Sequence, residues 1–249
     1  PSHHPDPSVP ENMVQISEKV RETHADCGIA LDGDADRLGV VDENGNIIKI
    51  DTLMAIFLDD IMPKISNKTA LFDVKCSKQL EDEIIKLGGT PYIYRTGAAF
   101  LRNKIKELDL AFGGELSGHV FFRDKWLGFD DGIYVGIRFL EILSKTMKRA
   151  SELDDEMSIY YSTPEIKIAV SEDEKFSIVE SVKLYAKEKN YNVITIDGVR
   201  IQFPDGWALV RASNTGPNLT LRFEAVNNDR LEEIQNEFMQ IINRVKKDV

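Results

Sequence analysis

The chain has 249 residues, of which 42% are hydrophobic and 29% are charged, and its formal net charge is −11. This composition is typical of a folded globular protein, and the acidic balance argues against a nucleic-acid partner. No apolar run reaches the roughly 18 residues of a membrane span, so we expect no membrane contact. The two cysteines, Cys27 and Cys76, have no metal-binding or redox spacing, and we expect free thiols in a cytoplasmic protein.

The first part of the chain alternates helix and strand patterns. An amphipathic helix is predicted over 11–25, followed by two short strands that flank an acidic run. From Asp51 to Lys148 helices and strands alternate, and Ser77 is placed to cap one of these helices at its N-terminus. Such alternation predicts an α/β fold with a largely parallel sheet covered by helices.

The pattern changes after an acidic segment, 151–158, which lacks apolar periodicity and is predicted to be a linker. Beyond it the sequence predicts a strand, a long helix, three strands of which the first runs unbroken over 193–203, and an amphipathic terminal helix. This order indicates a separate α+β domain. We therefore expect three regions, 1–50, 51–155 and 160–249.

The acidic loop, residues 32–36, lies between the two short strands and contains Asp32, Asp34 and Asp36. Carboxylates at alternate positions of an extended segment point to one side, and three together favour a hard cation such as Mg²⁺ or Ca²⁺. A solvated acidic turn is the alternative. A calcium-binding helix–loop–helix is disfavoured because Arg37 occupies the position that requires glycine. Arg37 itself is predicted to be either a local ion-pair partner or a phosphate clamp.

Two further loops carry polar groups suited to ligands. The phosphate loop, residues 211–217, offers the side chains of Arg211, Ser213, Asn214 and Thr215 before a Gly-Pro turn, which suits an anion. An ordinary polar turn is the alternative.

The sugar loop, residues 113–119, follows a predicted strand and contains Glu115, Ser117 and His119. Glu115 and Ser117 can bind hydroxyl groups, and His119 can donate to a phosphate or move a proton. Lys75 ends another predicted strand. It is either a surface lysine or, if buried beside the site, a residue that positions a phosphate or takes part in proton transfer. Taken alone, the sugar loop is a weak signal, since a single histidine is more often structural.

Taken together, these segments resemble the α-D-phosphohexomutase family. Its second domain is similar to HHPDP (3–7), PEN (10–12) and DGDADR (32–37), its third to DVKCS (73–77) and GELSGH (114–119), and its fourth to DGWALVRASNT (205–215). The order is the family's own and covers essentially the whole chain. The form of the sugar loop resembles the bacterial phosphomannomutase/phosphoglucomutase type.

The resemblance implies a fold and an activity. It implies partial and complete phosphohexomutase-type α/β domains, followed by a C-terminal α+β domain like that of the TATA-binding protein. The activity is a Mg²⁺-dependent isomerase reaction, an intramolecular phosphotransfer. It interconverts hexose 1-phosphate and hexose 6-phosphate of mannose or glucose in carbohydrate metabolism, through a hexose 1,6-bisphosphate that also acts as activator. The expected partners are therefore hexose phosphates, and we expect a cytoplasmic monomer.

Roles carry over residue by residue. Asp32, Asp34 and Asp36 are expected to bind Mg²⁺, and Glu115 and Ser117 to bind sugar hydroxyls. Arg37, Lys75 and His119 are expected on the reacting side, His119 also as a substrate ligand. The phosphate that is not transferred is expected on four residues of the phosphate loop, Arg211, Ser213, Asn214 and Thr215.

Two departures from the family pattern bear on activity. The segment with the phosphorylated serine is missing from this sequence, so we expect an N-terminally truncated phosphoprotein that is inactive by itself. In addition, Ala98 stands where the family commonly has histidine after Thr-Gly. The alternatives are a non-catalytic hexose-phosphate-binding module and a Ca²⁺-binding structural protein.

Overall fold

A computed structural model describes residues 4–213 and 216–248 and divides the chain into two compact units. Unit 1 extends to Ser158, and unit 2 begins at Ile159. Each unit has its own hydrophobic core. None of the described helices combines the length and the apolarity that crossing a bilayer requires.

Unit 1 contains two sheets and six α-helices among its described residues. Its strands are β1 (Cys27–Leu31), β2 (Leu38–Asp42), β3 (Ile47–Ile48), β4 (Thr69–Asp73), β5 (Thr90–Tyr94), β6 (Phe112–Gly114) and β7 (Val120–Phe122). Its helices are α1 (Pro10–Thr23), α2 (Ile50–Ile61), α3 (Lys78–Lys86), α4 (Ala98–Glu107), α5 (Gly132–Thr146) and α6 (Ala150–Asp155), and a 3₁₀ turn at Met62–Lys64 follows α2.

The first sheet, in the order β1-β2-β3, is antiparallel and frames the acidic loop between β1 and β2. Helix α1 packs on it through Met13 and Val20, which are buried with Val41. Gly28 permits this close approach, because a Cβ there would lie 2.7 Å from side-chain atoms of Ile16 and Val41.

The second sheet has the order β5-β4-β6-β7, in which β4 is parallel to β5 and β6, and β7 is antiparallel to β6. The expected largely parallel sheet is therefore confirmed, with one antiparallel edge strand that the sequence did not indicate. The predicted cap is confirmed as well, since the Ser77 side chain accepts a hydrogen bond from the backbone N–H of Gln79. Parallel strands place their carboxyl ends at one edge, where Asp73 and the sugar loop follow β4 and β6.

The predicted linker over 151–158 is wrong for most of its length. Residues 150–155 form α6, and Ala150 and Leu153 are buried in the core of unit 1. Glu43 binds the start of this helix, because its carboxylate accepts hydrogen bonds from the backbone N–H of Ser151, at 3.1 Å, and from the Ser151 hydroxyl. Two buried residues in six are too few to produce a recognisable period, which explains the error.

Unit 2 is an α+β domain, as expected. Its strands are β8 (Tyr161–Ser162), β9 (Ile166–Ala169), β10 (Asn192–Ile194), β11 (Val199–Phe203), β12 (Gly206–Ala212) and β13 (Asn218–Ala225), and its helices are α7 (Glu172–Glu188) and α8 (Asn228–Asp248). The sheet is antiparallel in the order β10-β11-β12-β13-β8, with β9 also paired to β13.

The prediction of one unbroken strand over 193–203 is wrong. The chain turns between β10 and β11, where Gly198 adopts a φ of 78°, a left-handed conformation that favours glycine. The turn places Asp197 beside Arg211 of β12. The phosphate loop lies at the end of β12, before β13.

Candidate functional site

The acidic loop curls, so the predicted extended geometry is wrong. Ala35 adopts a φ of 62°, and one carboxylate oxygen of Asp32 accepts hydrogen bonds from the backbone N–H groups of Asp36 and Arg37, each at 3.1 Å. The three carboxylates still converge, because Asp32, Asp34 and Asp36 each place an oxygen within 4.8 Å of the others. The curl of the loop brings the three carboxylates together, whereas the prediction attributed their convergence to alternating positions on an extended strand.

The convergence changes the pKa values of the buried carboxyl groups. Burial raises the pKa of Asp36, and the charges of Asp32 and Asp34 raise it further, against the opposing charge of His119. Burial also acts to raise the pKa of Asp32, but hydrogen bonds from Arg37 outweigh it and the pKa falls. Both burial and neighbouring carboxylates therefore disfavour the charged form of Asp36, and a bound cation would favour it. The donors are all carboxylate oxygens, so the loop fits a hard ion such as Mg²⁺.

Arg37 lies between two carboxylates. Its Nε is 2.6 Å from Asp32 Oδ2, and its Nη1 is 3.2 Å from Asp6 Oδ1. Asp6 also accepts a hydrogen bond from the hydroxyl of Ser8 at 2.7 Å. The structure therefore shows the local ion pair, which was one of the two alternatives for Arg37, and the phosphate clamp stays a prediction.

The sugar loop is attached to the acidic loop through the backbone. Arg37 and His119 form an antiparallel bridge, and Leu38 donates its N–H to the carbonyl of Gly118 at 3.2 Å. Gly118 adopts a φ of 102°, and a Cβ there would lie 2.9 Å from the Leu38 carbonyl oxygen. The close approach of the two loops therefore depends on this glycine.

His119 points its Nδ1 atom at carboxylates. The distance is 2.9 Å to Asp130 Oδ2 and 3.7 Å to Asp36 Oδ1. Burial acts to lower the pKa of His119, but Asp130, Asp36 and Glu115 together outweigh it, so the pKa lies above its usual value. Asp130 immediately precedes Asp131, whose side chain caps α5 by accepting from the N–H of Tyr134. The start of α5 thus places a carboxylate beside the His119 ring.

Two buried carboxylates connect the sugar loop to the turn before α4. Asp73 Oδ1 accepts from the backbone N–H of Leu116 at 3.1 Å, and Asp73 Oδ2 accepts from the Thr96 hydroxyl at 2.9 Å. Glu115 Oε1 accepts from the backbone N–H of Gly97 at 3.0 Å. The sugar loop and the turn are therefore held together by two carboxylates, which accept every one of these hydrogen bonds.

Glu115 is 4% exposed, and its pKa is raised mainly by burial and then by the charge of Asp73. Lys75, His119 and Ser117 act in the opposite direction, and so stabilise its charged form. Lys75 and Ser117 are themselves half-buried. The predicted residues Lys75, Glu115, Ser117 and His119 are therefore in one electrostatic group, near the acidic loop.

In unit 2 the phosphate loop follows β12. Arg211 is mostly buried, and its Nη2 lies 3.2 Å and 3.0 Å from the two carboxylate oxygens of Asp197. Ser213 is also buried, and its N–H donates to the carbonyl of Asn218 at 2.9 Å. The other two predicted phosphate ligands, Asn214 and Thr215, lie outside the described residues.

A buried lysine that sequence reasoning missed lies against the phosphate loop. The Nζ atom of Lys175, in the first turns of α7, is 3.0 Å from the carbonyl oxygen of Ser213 and 3.4 Å from that of Gly216. A signal was available, because Lys175 lies three residues before the buried Ile178, on the face of α7 where an apolar residue is expected. Asp130, Asp73 and Asp6 were also missed, since each acquires its role through tertiary contacts.

Comparisons with known proteins support one family. Models of the phosphoglucomutase/phosphomannomutase family match residues 1–45 as its alpha/beta/alpha domain II, 49–160 as its alpha/beta/alpha domain III, and 165–241 as its C-terminal domain. The order and the residues agree with the segments on which the resemblance was based.

Individual proteins give the same result. The chain is 44% identical to a phosphomannomutase/phosphoglucomutase of Pseudomonas aeruginosa, over 98% of this chain and 53% of that protein. It is 43% identical to a phosphoglucomutase of Neisseria gonorrhoeae, over 97% of this chain and 53% of that protein. A crystal structure of a family member from Burkholderia thailandensis has a TM-score of 0.91 and 38% identity, and covers 99% of this chain and 52% of that one. The chain thus spans about half the length of the curated relatives that it matches.

Proposed function

The chain belongs to the phosphoglucomutase/phosphomannomutase family, and on that premise we propose that it supplies the metal, sugar and phosphate sites of a phosphohexomutase. The reaction is the interconversion of hexose 1-phosphate and hexose 6-phosphate, of mannose or glucose, through a hexose 1,6-bisphosphate. The observation that carries this proposal is the convergence of Asp32, Asp34 and Asp36 beside His119.

The acidic loop is the proposed Mg²⁺ site. Asp32, Asp34 and Asp36 would each supply one oxygen, which matches the hard, oxygen-only preference of the ion. Bound there, Mg²⁺ would neutralise charge on the oxygens of the phosphoryl group being transferred. Arg37 is held at the same loop by Asp32 and Asp6, where its charge acts in the same direction.

The sugar loop is the proposed hydroxyl and proton site. Glu115 uses Oε1 on Gly97, so we assign its second oxygen to the sugar hydroxyls, with Ser117 beside it. Asp130 engages Nδ1 of His119, so we place proton exchange with the substrate at Nε2. During transfer, a sugar oxygen forms the new bond to phosphorus, the bond to the donor oxygen breaks, and the proton of the attacking hydroxyl leaves to a base such as His119. Lys75 supplies positive charge on this side.

The phosphate loop is the proposed site for the phosphate that is not transferred, held by Arg211 and Ser213, with Asn214 and Thr215 assigned from the resemblance alone. We assign no residue of this chain as the phosphoryl carrier.

The form of the sugar loop favours mannose and glucose phosphates over glucosamine phosphate. Leu116 stands in this loop where the family usually has Met.

The proposal is tested by binding. We expect glucose 1-phosphate, added with Mg²⁺, to shift the ³¹P resonance of the ligand and the backbone amide resonances of the sugar and phosphate loops. Arg211→Lys replaces a planar fork by a point charge and should weaken binding by about tenfold. Arg230→Lys is the control, because Arg230 also pairs with carboxylates, those of Asp205 and Glu233 at 3.0 Å each, but lies in the first turn of α8, away from the loop.

Turnover is a separate readout. With mannose 1-phosphate, Mg²⁺ and a trace of glucose 1,6-bisphosphate, we expect binding but no conversion to the 6-phosphate by this chain alone. Absence of any Mg²⁺-dependent binding of the sugar phosphates would overturn the proposal. Conversion would show that a residue of this chain carries the phosphoryl group, against our assignment.

A further inference from the structure

We propose that Lys175 is a positioning residue that holds Ser213 and Gly216 of the phosphate loop and thereby sets the affinity of that loop for a phosphate monoester. This inference rests on the proposed function of the phosphate loop. It concerns a residue on α7, outside every segment that carries the family resemblance.

Lys175 is nearly completely buried, with 5% of its surface exposed. A lysine is seldom buried to this degree unless its charge is compensated, because removing an ammonium group from water is costly. Among the described residues its ammonium contacts the carbonyl oxygens of Ser213 and Gly216 and the carboxylate of Glu172, the last at 2.6 Å. It also lies 5.2 Å from the centroid of the Phe176 ring. Three acceptors match the three donors of an ammonium group.

The two carbonyls belong to the two ends of the same short loop segment. A single ammonium that binds both of them ties Ser213 and Gly216 to the same point of α7. Backbone hydrogen bonds among the described residues hold the base of the loop. Ser213 N–H donates to Asn218 and Asn218 N–H donates to Gly216, each at 2.9 Å, and Val170 N–H donates to Pro217 at 3.1 Å. Lys175 thus adds a side-chain connection from α7 to both described flanks of the loop.

The ammonium group of Lys175 also places positive charge next to the loop. The carboxylate partner of Lys175, Glu172, has a side chain that is 61% exposed, so water screens its negative charge more than that of the buried ammonium. On a chain with a net charge of −11, an anion site depends on such local cations. Lys175 therefore acts on the ligand through the loop and through its field, without a contact of its own.

The experiment measures the Kd of glucose 1-phosphate, in the presence of Mg²⁺, for the whole chain with Lys175→Met. We expect binding to weaken by about tenfold, as for the loss of a charge-assisted hydrogen bond. Lys183→Met is the matched control, since Lys183 lies on the same helix and pairs with Glu180 three residues earlier, as Lys175 pairs with Glu172. Its side chain is 45% exposed, against 6% for Lys175. We expect wild-type affinity for this control.

A merely structural role gives a different result. In that case Lys175→Met lowers the Tm but leaves the Kd of the folded protein unchanged, when both are measured well below the midpoint of unfolding. Lys175→Arg is the second variant, which retains the charge but cannot bring one point donor to both carbonyls, and we expect a Kd about threefold above wild type. It decides the question if Lys175→Met does not fold.

Wild-type affinity in Lys175→Met or in Lys175→Arg would overturn the inference. Failure of the proposed function looks different, because the wild-type chain would then show no shift of the phosphate-loop amides with glucose 1-phosphate. The two failures are therefore distinguishable in one set of titrations.

Discussion

In unit 1 the acidic loop gathers three carboxylates, and the one arginine among them is shared between Asp32 and Asp6. In unit 2 the phosphate loop is bordered by two buried cations, and each has a carboxylate partner, Asp197 for Arg211 and Glu172 for Lys175. The first region therefore holds an excess of negative charge, and the second holds positive charge that is already partly compensated.

The difference predicts how each region responds to its ligand. A cation that binds the acidic loop relieves repulsion between carboxylates, so removing a carboxylate should cost binding yet improve the stability of the empty protein. A phosphate that binds the other loop must compete for cations that already have partners, so its affinity depends on how these cations are held. The comparison can be tested from either side.

The largest effect is expected at the acidic loop. Asp36→Asn should weaken Mg²⁺ binding by about 100-fold, since changes to outer partners of a metal already cost about 10–100-fold. In the absence of metal the same variant should raise the Tm, because Asp36 is the carboxyl whose pKa is raised, first by burial and then by Asp32 and Asp34. Isothermal titration with Mg²⁺ and a thermal melt in chelator measure the two quantities.

The control for this experiment is Asp59→Asn, which removes an exposed carboxylate of α2 in the same unit. This control should leave both the Mg²⁺ affinity and the Tm in chelator essentially unchanged. A lower Tm for Asp36→Asn without metal would contradict the view that repulsion dominates the empty loop.

The next effect is expected at Asp73, a buried carboxylate that accepts hydrogen bonds. Asp73→Asn should lower the free energy of unfolding of unit 1 by about 2 kcal/mol, because an amide nitrogen replaces one acceptor facing the N–H of Leu116 or the hydroxyl of Thr96. Urea unfolding measures it. Asp109→Asn, at an exposed carboxylate that pairs with Arg123 in the same unit, is expected to cost less than about 0.5 kcal/mol. Equal losses in the two variants would contradict the assignment.

The smallest effect is a titration in unit 2. Burial and then the hydrogen bond to Glu237 raise the pKa of Tyr185 to about 12 from its usual 10.0. The folded pKa lies above the unfolded one, so this contribution to stability is fully present below about pH 10 and is lost as the pH rises towards 12. Glu237→Gln should shift the ultraviolet titration of the Tyr185 phenol to lower pH.

A Tyr185→Phe variant isolates that signal by subtraction, and Glu233→Gln, on the same helix and paired with Arg230, is the control. An unchanged Tyr185 titration in Glu237→Gln would show that the carboxylate has no part in the shift.

Much of the fold could be predicted from the sequence because long elements have clear periods. Helices α2 and α5 and the Ser77 cap follow from apolar spacing and capping chemistry. The break between β10 and β11 was missed although Asp197-Gly198, a dipeptide typical of hairpin turns, lies between the two strands. The apolar residues on either side were interpreted as one strand. Helix α6 was missed because tertiary contacts, not its own pattern, stabilise it.

For the site, the sequence indicated the residue types but not their partners. The acidic loop was recognised from three aspartates in five positions, although the curl at Ala35 that brings them together was not. Asp130 and Lys175 gain their roles from contacts with residues 11 and 38 positions away, His119 and Ser213. Contacts of this kind depend on the tertiary fold, and a local sequence pattern does not predict them.

The contact between Glu43 and Ser151 has a practical consequence for cutting the chain. The two residues are 108 positions apart in the sequence. The first turn of α6 can therefore bind the Glu43 carboxylate only after these distant parts of unit 1 have folded against each other. A shortened version that stopped at residue 150, directly before the predicted linker over 151–158, would leave Glu43 without these donors and expose the surface that Leu153 covers. A boundary for expressing unit 1 by itself therefore belongs after Ser158.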